Sequence, residues 1–289
     1  MNIAVLSGKG GTGKTLIAVN LAAVSNDAAY IDCDVEEPNG HLFFKATNLT
    51  EEEITIKIPK FDQKLCDGCR RCVDFCKFNA LAYIKDKVVV FDEVCHACGG
   101  CALVCPKEAI SEEDKVIGRI EKGRSDNVCV NTGILNIGVA AGIPIIDKLL
   151  EDNKELADGK ISLIDCPPGS ACSVMESIRD ADFCILVAEP TIFGAHNLHM
   201  VYDLVTLFNK PFGVIINKCI DEDNLIDRFC QDKGIKVLER IYYDKELGKL
   251  NSDGKIAVRE SDKYNKIFKE LLDRVIKEVQ NEGTSNLKW

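Results

Sequence analysis

A glycine-rich loop near the start of the chain has the residue types and spacing of a phosphate-binding site. It follows an apolar run that reads as a strand, Ile3 to Leu6, and precedes a segment that reads as a helix, Leu16 to Val24. The loop consists of Gly8, Lys9, Gly10, Gly11, Thr12, Gly13, Lys14 and Thr15. Glycines let backbone N–H groups turn towards phosphate oxygens, and the helix N-terminus adds a partial positive charge. We predict an ATP site with Lys14 on the β- and γ-phosphates and Thr15 on Mg²⁺; the alternative is a glycine-rich tight turn.

Eight cysteines form a second signature, in two runs with the same spacing. The runs are Cys66, Cys69, Cys72 and Cys76, then Cys95, Cys98, Cys101 and Cys105. Each run resembles that of a bacterial-type ferredoxin, although lysine follows the first run where the usual pattern has proline. The resemblance implies two [4Fe–4S] clusters with crossed ligands: Cys66, Cys69, Cys72 and Cys105 for one, and Cys95, Cys98, Cys101 and Cys76 for the other. Zinc is the competing interpretation, but it needs neither the third cysteine nor the crossed fourth in both runs.

The composition narrows the class of protein. A chain of 289 residues can hold one large α/β domain and a small second unit, and 46% hydrophobic residues support a real core. The formal net charge of -10 argues against a nucleic-acid partner, because phosphate contacts need clustered Lys and Arg. Without a secretion signal or a membrane-length apolar run, we expect a cytoplasmic protein with no membrane partner. The 15 cysteines then indicate metal ligands or reduced thiols rather than disulfides.

Carboxylates follow two further predicted strands. The run from Ala28 to Ile31 ends on Asp32 and Asp34, and the run from Ile161 to Ile164 ends on Asp165 in the Walker B arrangement. Acids at the carboxyl end of a strand beside a phosphate loop can hold the waters of Mg²⁺ or orient an attacking water. Taken alone, Asp32 and Asp34 are explained equally well as ordinary loop carboxylates.

The loop resembles the deviant P-loop of the MinD/ParA/nitrogenase-iron-protein group, because a second lysine, Lys9, directly follows the first glycine. In that group the extra lysine reaches across a dimer interface to the partner's nucleotide, where it neutralises charge on the transferred phosphoryl group. The resemblance implies a nucleotide-dependent homodimer; otherwise Lys9 is a solvated loop lysine. It also implies that Asp34 positions the hydrolytic water and that Asp32 contacts the waters of Mg²⁺.

The same resemblance extends to later segments. Asp165 begins an Asp-x-Pro-Pro-Gly segment similar to the family's switch II, so Asp165 would lie on the Mg²⁺ side. The N–H of Gly169 would face the γ-phosphate. Asn217, which with Lys218 ends a later apolar strand, resembles the residue that reads the adenine edge. The catalytic residues implied are Lys9, Lys14, Asp34 and Asp165.

The elements that position these residues predict an α/β fold. Strands that end in functional loops fit a doubly wound, mostly parallel sheet of the deviant P-loop type. The cysteine runs predict an inserted small α+β domain of the bacterial ferredoxin type. We therefore divide the chain into an ATPase part at 1–59, the insertion at 60–117, and a second ATPase part at 118–289.

Some shorter segments are also predicted. Within the insertion, residues 81–91 read as a small hairpin and 111–114 as a polar exit loop. Residues 133–150 carry apolar residues at helical spacing, which predicts a helix with a break before a proline. The amphipathic segment 264–279 carries acids that disfavour a membrane surface, so we expect it to pack on the core, with a frayed tail after residue 281.

The leading functional hypothesis is an ATPase that couples its nucleotide state to iron–sulfur chemistry, serving metallocofactor assembly or cluster delivery to an apo-metalloprotein. A rival is an ATP-gated electron donor to a redox partner, similar to the nitrogenase iron protein. A third is a positioning or partition protein, which the cysteine repeat disfavours because positioning needs no redox centre. Cys172 either holds a shared cluster with its symmetry mate or is a buried or capping thiol at a helix start.

Overall fold

The computed structural model describes residues 1–156, 160–221 and 224–285. Its strands are β1 (Asn2–Leu6), β2 (Ala28–Asp32), β3 (Thr47–Phe61), β4 (Leu81–Ile84), β5 (Lys87–Val90), β6 (Ile110–Ser125), β7 (Val128–Leu135), β8 (Ile161–Asp165), β9 (Phe183–Ala188), β10 (Phe212–Cys219) and β11 (Val237–Tyr242). In those ranges one sheet has the order β11-β10-β9-β1-β8-β2-β7-β6-β3, and β4 pairs with β5 in a separate hairpin. Neighbouring strands from β11 to β7 in this order are parallel to each other, whereas β6 pairs in antiparallel fashion with both β7 and β3. The predicted mostly parallel α/β sheet is confirmed.

Helices cover both faces of this sheet. They are α1 (Lys14–Val24), α2 (Gly40–Phe44), α5 (Ile143–Leu156), α6 (Cys172–Ser177), α7 (Ile192–Leu207), α8 (Leu225–Lys233), α9 (Lys245–Ser252), α10 (Ala257–Glu260) and α11 (Asp262–Ser285). Two short helices, α3 (Arg71–Phe75) and α4 (Gly100–Leu103), lie in the segment between β3 and β6 instead. Ile3 and Val5 of β1 lie in a core with α1 and α11, whereas Ala4 and Leu6 lie in a second core with α5 to α8. Because strand side chains alternate between faces, a strand that is apolar throughout needs cover on both sides.

The C-terminal helix α11 packs on the core, as predicted. Tyr264 and Phe268 are buried in the same core as α1. The helix continues past Asn281 to Ser285, and the rest of the tail that was predicted to fray, 286–289, lies outside the described residues. Across the parts of the chain that the structure describes, no helix has the length and apolar character needed to cross a membrane.

A long antiparallel ribbon of β3 and β6 leaves the sheet. Only residues 118–125 of β6 also pair with β7, so the rest of the ribbon extends beyond the sheet edge. Residues 111–114, predicted as a loop, belong to this ribbon instead. Their acids face basic partners on β3, such as Asp114 against Lys57 at 2.9 Å, and such cross-strand charge pairs favour strand over loop. The segment between the two strands, residues 62–109, is called the cysteine unit below.

The prediction of a helix over residues 133–150 is wrong for the first part of that range. Strand β7 continues to Leu135, and α5 begins only at Ile143. Gly133 lies in the strand, where an added Cβ would come within 2.7 Å of a Val35 methyl group. Gly133 is therefore small because a neighbouring segment packs closely against it. The sequence pattern alone does not distinguish such a strand glycine from a small residue in a helix.

The connection between β7 and α5, residues 136–142, lies between the main sheet and the cysteine unit. Just before it, the N–H of Leu135 donates to the carbonyl oxygen of Val35 at 2.8 Å. Within it, the N–H of Ala140 donates to the carbonyl oxygen of Glu93 at 3.2 Å. The last residue of β7 and the connection after it thus contact the segment after Asp34 and the cysteine unit close to Cys95, respectively.

Candidate functional site

The glycine-rich loop lines a cleft of about 380 Å³ at the carboxyl ends of the central strands. Strand β1 lies between β8 and β9 in the sheet, so its loop emerges beside the residues that end β8 and β2. Open α/β sheets bind ligands at this edge. The cleft is lined by Ser7, Gly10, Gly11, Gly13, Lys14, Thr15, Leu16, Asp34, Glu37, Asn39, Leu42, Phe43, Pro168 and Asn251.

The loop conformation requires glycine at Gly13, directly before α1. Its φ is 94°, and an added Cβ would lie 2.2 Å from the amide nitrogen of Asn217. That amide donates to the carbonyl oxygen of Thr12 at 2.7 Å, so β10 anchors the loop. In the described part of the chain, the buried hydroxyl of Thr12 has no hydrogen-bond partner. Gly8 to Lys14 therefore turn tightly into a helix whose first N–H groups border the cleft.

Lys14 lies among the predicted carboxylates. Its ammonium group is 2.7 Å from Asp165 Oδ1 and 3.8 Å from Asp34 Oδ2. Burial lowers the pKa of Lys14, but the charges of Asp165, Asp34 and Asp32 outweigh it, so the pKa is raised overall. Lys14 therefore stays charged, as a ligand for phosphate oxygens must be.

Asp32 and Asp34 differ in environment although they are two residues apart. Asp32 is fully buried and accepts hydrogen bonds from the N–H groups of Asn39 (3.1 Å), Gly40 (2.8 Å) and Asp34 (3.2 Å). Burial raises its pKa to about 7, with a further contribution from Asp165. Asp34 lines the cleft, and burial raises its pKa to about 6 against the opposing charge of Lys14. Asp32 thus fixes the backbone of the segment from Asp34 to Gly40 by accepting its N–H groups, whereas Asp34 is suited to accept a proton near neutral pH.

The other predicted nucleotide contacts lie around the same loop. Thr15 is half-buried and lines the cleft. The N–H of Gly169 donates to the carbonyl oxygen of Ser7 at 2.9 Å, which holds switch II against the loop. Asn217 and Lys218 lie inside β10 rather than after it, because the strand continues to Cys219. The contacts of these residues with phosphate, Mg²⁺ and adenine stay predictions.

Lys9 and Lys218 share an acid that the sequence did not single out. Glu189, at the end of β9, lies 3.5 Å from the Lys9 ammonium and 2.5 Å from that of Lys218. Lys218 also donates to the carbonyl oxygen of Gly11 at 2.9 Å. Glu189 therefore holds both lysines beside the loop; its position after a buried strand is the signal that could have identified it.

Tyr30 was also missed. It is fully buried in β2, and its hydroxyl donates to Asp165 Oδ2 at 2.8 Å. A tyrosine in an apolar strand reads as core, and only its phenol oxygen, which needs a partner when buried, hinted at a polar neighbour.

The eight predicted cluster ligands line two cavities in the cysteine unit. One cavity is lined by Cys66, Cys69, Cys72 and Cys105, and the other by Cys76, Cys95, Cys98 and Cys101. The structure thus brings together the same two sets of four thiols that the sequence resemblance crosses, and all eight are free of disulfides. Binding of iron by them stays a prediction.

The cavities differ in their position on the ribbon. Phe61 and Ile110, at its far end, line the first cavity, whereas Lys57 and Pro59 line the second, closer to the sheet. Among the described residues, no three Cys, His, Asp or Glu side chains are arranged to hold a single metal ion. Cys172, predicted as a shared ligand or as a buried or capping thiol, is exposed at the start of α6, so it is not a buried thiol.

Comparison with known proteins identifies the family. Residues 3–258 match the family model described as the CobQ/CobB/MinD/ParA nucleotide binding domain. Uncharacterized protein MJ0579 of Methanocaldococcus jannaschii is 29% identical over 225 residues, which cover 75% of this chain and 80% of that protein. Uncharacterized ferredoxin MJ0722 of the same organism is 43% identical over 53 residues, which cover 17% of this chain and 69% of that protein.

Solved structures share the fold. The cell division ATPase MinD of Pyrococcus furiosus superposes with a TM-score of 0.59 at 18% identity, covering 96% of this chain and 98% of that one. The septum site-determining protein MinD of Pyrococcus horikoshii, complexed with Mg-ADP, gives 0.58 at 18% identity, covering 95% of each chain. With the family match over most of its length and the loop geometry above, the chain belongs to the CobQ/CobB/MinD/ParA nucleotide-binding domain family and has the P-loop ATPase fold of its MinD/ParA members.

Proposed function

We propose that this ATPase works with Mg²⁺ as a nucleotide-dependent homodimer, and that its cysteine unit holds two [4Fe–4S] clusters for delivery to an apo-metalloprotein. The observation that carries the proposal is the presence, on one chain, of a nucleotide cleft and two cavities lined by four thiols each. The likeness to a ferredoxin over 53 residues supports the second half. The chain then divides into ATPase parts at 1–59 and 118–289 and an iron–sulfur domain at 60–117.

In the cleft, the charges favour transfer of a phosphoryl group to water. Lys14 exchanges Asp165 for the β- and γ-phosphate oxygens, since a doubly charged phosphate competes well for an ammonium group. Thr15 supplies a hydroxyl oxygen to Mg²⁺, and Asp165 faces the waters of that ion. Asp34, with its side chain 17% exposed, orients the attacking water from the open side of the cleft.

Lys9 is available for a role in the partner's site. Its side chain is 41% exposed, and its contact with Glu189 is long, at 3.5 Å. Glu189 is only 12% exposed but keeps Lys218 at 2.5 Å, so its carboxylate stays paired when Lys9 turns to a second nucleotide-bound chain. Across a homodimer interface, Lys9 would then neutralise charge on the partner's phosphates.

The cysteine unit fits iron–sulfur clusters by its donor chemistry. Each cavity offers four thiols, and the Asp67 carboxylate in the lining of the first accepts the N–H of Cys69 at 3.1 Å. The Cys105 sulfur already accepts the N–H of Ala109 at 3.4 Å. Such N–H···S contacts tune the reduction potential of a cluster. When bound, clusters would supply one-electron chemistry or transferable iron. Four thiols around a cavity suit a polynuclear cluster better than zinc, which needs four donors about 2.3 Å from one point.

The two halves have a physical route for coupling. The backbone after Asp34 contacts Leu135, and the connection that follows Leu135 contacts Glu93, two residues before Cys95. A change at Asp34 on nucleotide binding therefore reaches the second cavity through hydrogen-bonded backbone. Coupling of this kind is typically about 1–3 kcal/mol, and it must act equally in both directions.

One experiment tests the proposed function. The protein is purified anaerobically, loaded with iron and sulfide, and mixed with an apo-ferredoxin as acceptor, together with ATP, ADP or a non-hydrolysable ATP analogue. Iron should appear in the acceptor faster with ATP than with either control nucleotide. Reduction of a pre-loaded acceptor without iron transfer would favour the ATP-gated electron donor. Absence of iron from the purified and reconstituted protein would refute the cluster hypothesis.

A further inference from the structure

Tyr30 is in contact with the carboxylate proposed to face Mg²⁺. Its hydroxyl donates to Asp165 Oδ2 at 2.8 Å, while Lys14 donates to Oδ1 at 2.7 Å. Asp165 is 1% exposed, so these two donors fix the plane and rotamer of its carboxylate. If Lys14 turns to phosphate, Tyr30 is the contact that still holds Asp165 in position.

The Tyr30 ring also packs against α2. An added Cβ on Gly40 would lie 2.2 Å from the Tyr30 ring and 2.6 Å from its hydroxyl oxygen. The Phe44 ring, one turn later, lies 4.9 Å from the Tyr30 ring, centroid to centroid. From the other side, Asp32 accepts the N–H groups of Asn39 and Gly40. The start of α2 is therefore fixed between a buried acid and this ring.

The surroundings keep Tyr30 a hydrogen-bond donor. Burial, and then the charges of Asp165 and Asp32, raise its pKa well above the ordinary value. The phenol therefore remains protonated at any pH at which the protein is studied. A buried phenol with one acceptor contributes through that single hydrogen bond, which phenylalanine at the same place would lack.

We infer that Tyr30 is a positioning residue that orients Asp165 towards Mg²⁺ and connects that carboxylate to α2, the helix that leads into β3 and the cysteine unit. The inference rests on the proposed role of Asp165 towards Mg²⁺. It adds a residue that neither the loop motif nor the strand-end acids include. It also gives α2 a contact through which the metal side of the site affects the ribbon.

The test is the Mg²⁺ dependence of ADP binding, followed by equilibrium fluorescence titration. Tyr30→Phe keeps the ring against Gly40 and Phe44 but removes the donor to Asp165. The Mg²⁺ concentration for half-maximal binding should rise about threefold to tenfold, because Asp165 keeps its charge and loses only the hydrogen bond that orients it, whereas ADP binding without Mg²⁺ should not change. Tyr264→Phe, which removes another buried phenol far from Asp165, is the matched control and should shift neither quantity.

A second variant approaches the same contact from α2. Gly40→Ala places a methyl group against the Tyr30 ring and should shift the Mg²⁺ dependence in the same direction, although Gly40 does not contact Asp165. Asp165→Asn separates the two hypotheses. An Asp165→Asn variant with normal Mg²⁺ dependence would refute the proposed role of Asp165. A clear effect of Asp165→Asn with none of Tyr30→Phe would refute the inference on Tyr30.

Discussion

The nucleotide cleft and the cysteine unit are built on opposite physical principles. The cleft lies at the end of a sheet with two large cores, and its charged residues Lys14, Asp32 and Asp165 are themselves buried. In the cysteine unit the core cluster has three buried residues, Cys72, Leu81 and Val88, and the other buried apolar side chains are the small ones of Ala80 and Ala109. A core of that size is too small to fix a fold by apolar burial alone, because segments of this length usually need disulfides or metals.

This difference indicates what each site needs from its ligand. In the cleft, packing holds the acids and the lysine in place, and the nucleotide enters a site that exists without it. In the cysteine unit, Cys69 and Cys98 are exposed and the thiols have few protein partners, so metal binding itself would supply much of the folding free energy. The three predictions below separate the two regions by experiment.

The largest effect should come from Lys14→Ala. Removing the ammonium group takes away the phosphate ligand and leaves Asp165 and Asp34 without their shared cation. Losing one partner of a desolvated charge pair costs about 2–5 kcal/mol, so ATP binding should become undetectable at micromolar protein. Iron content should be unchanged, because the cysteine unit does not contact Lys14. The control is Lys148→Ala, which breaks the pair with Asp152 at 2.7 Å on α5 and should leave ATP binding intact. Micromolar ATP affinity in the Lys14→Ala protein would contradict the assignment.

The next effect should be the loss of one cluster of two. Cys76→Ala removes one thiol from the cavity whose other three come from the second run, so iron should fall from about eight to about four per chain. The cluster lost should be the one bound by Cys95, Cys98 and Cys101. The matched control is Cys129→Ala, a half-buried thiol in β7 outside the unit, which should keep all the iron. Loss of the cluster bound by Cys66, Cys69 and Cys72 instead would contradict the crossed arrangement. ATP binding should survive in either variant, which distinguishes the two regions directly.

The smallest effect should be on the pH dependence of stability without nucleotide. The pKa values of Asp32, about 7, and Asp34, about 6, are raised above those of the unfolded chain, near 4. Between about pH 4 and pH 7 these two side chains therefore bind more protons in the native protein than in the unfolded chain, so their contribution to the free energy of unfolding should fall as pH rises. Urea denaturation of Asp34→Asn should show a smaller fall than the wild type. An Asp34→Asn variant with the same slope as the wild type would contradict the prediction.

The sequence predicted best where chemistry needs a fixed spacing. The loop from Gly8 to Thr15 and the strand-end acids Asp32 and Asp165 were identified because strand, turn and helix succeed one another in a short stretch. The two thiol sets of the cavities were predicted from the resemblance of the cysteine runs to those of a ferredoxin.

Prediction from the sequence failed where a contact with a distant part of the chain decides the local structure. Residues 111–114 are strand because β3 lies opposite them, more than fifty positions earlier in the chain. Gly133 lies in a strand because Val35 packs on it, and Tyr30 has its role through Asp165. None of these partners is visible in the local pattern, since local sequence sets propensity and tertiary packing overrides it.

The ribbon of β3 and β6 also bears on the order in which the molecule is assembled. It pairs the two ends of the cysteine unit, Phe61 and Ile110, directly opposite each other. For the folding of the sheet, the unit is therefore a loop whose two ends are joined by the ribbon. The entropic cost of bringing such ends together grows only with the logarithm of the loop length. Extending a short turn to about fifty residues is about three doublings, or about 2 kcal/mol, small beside the stability of a domain. The sheet can thus fold while the loop is still an unstructured polymer, and metal can be inserted afterwards into a chain that already binds nucleotide.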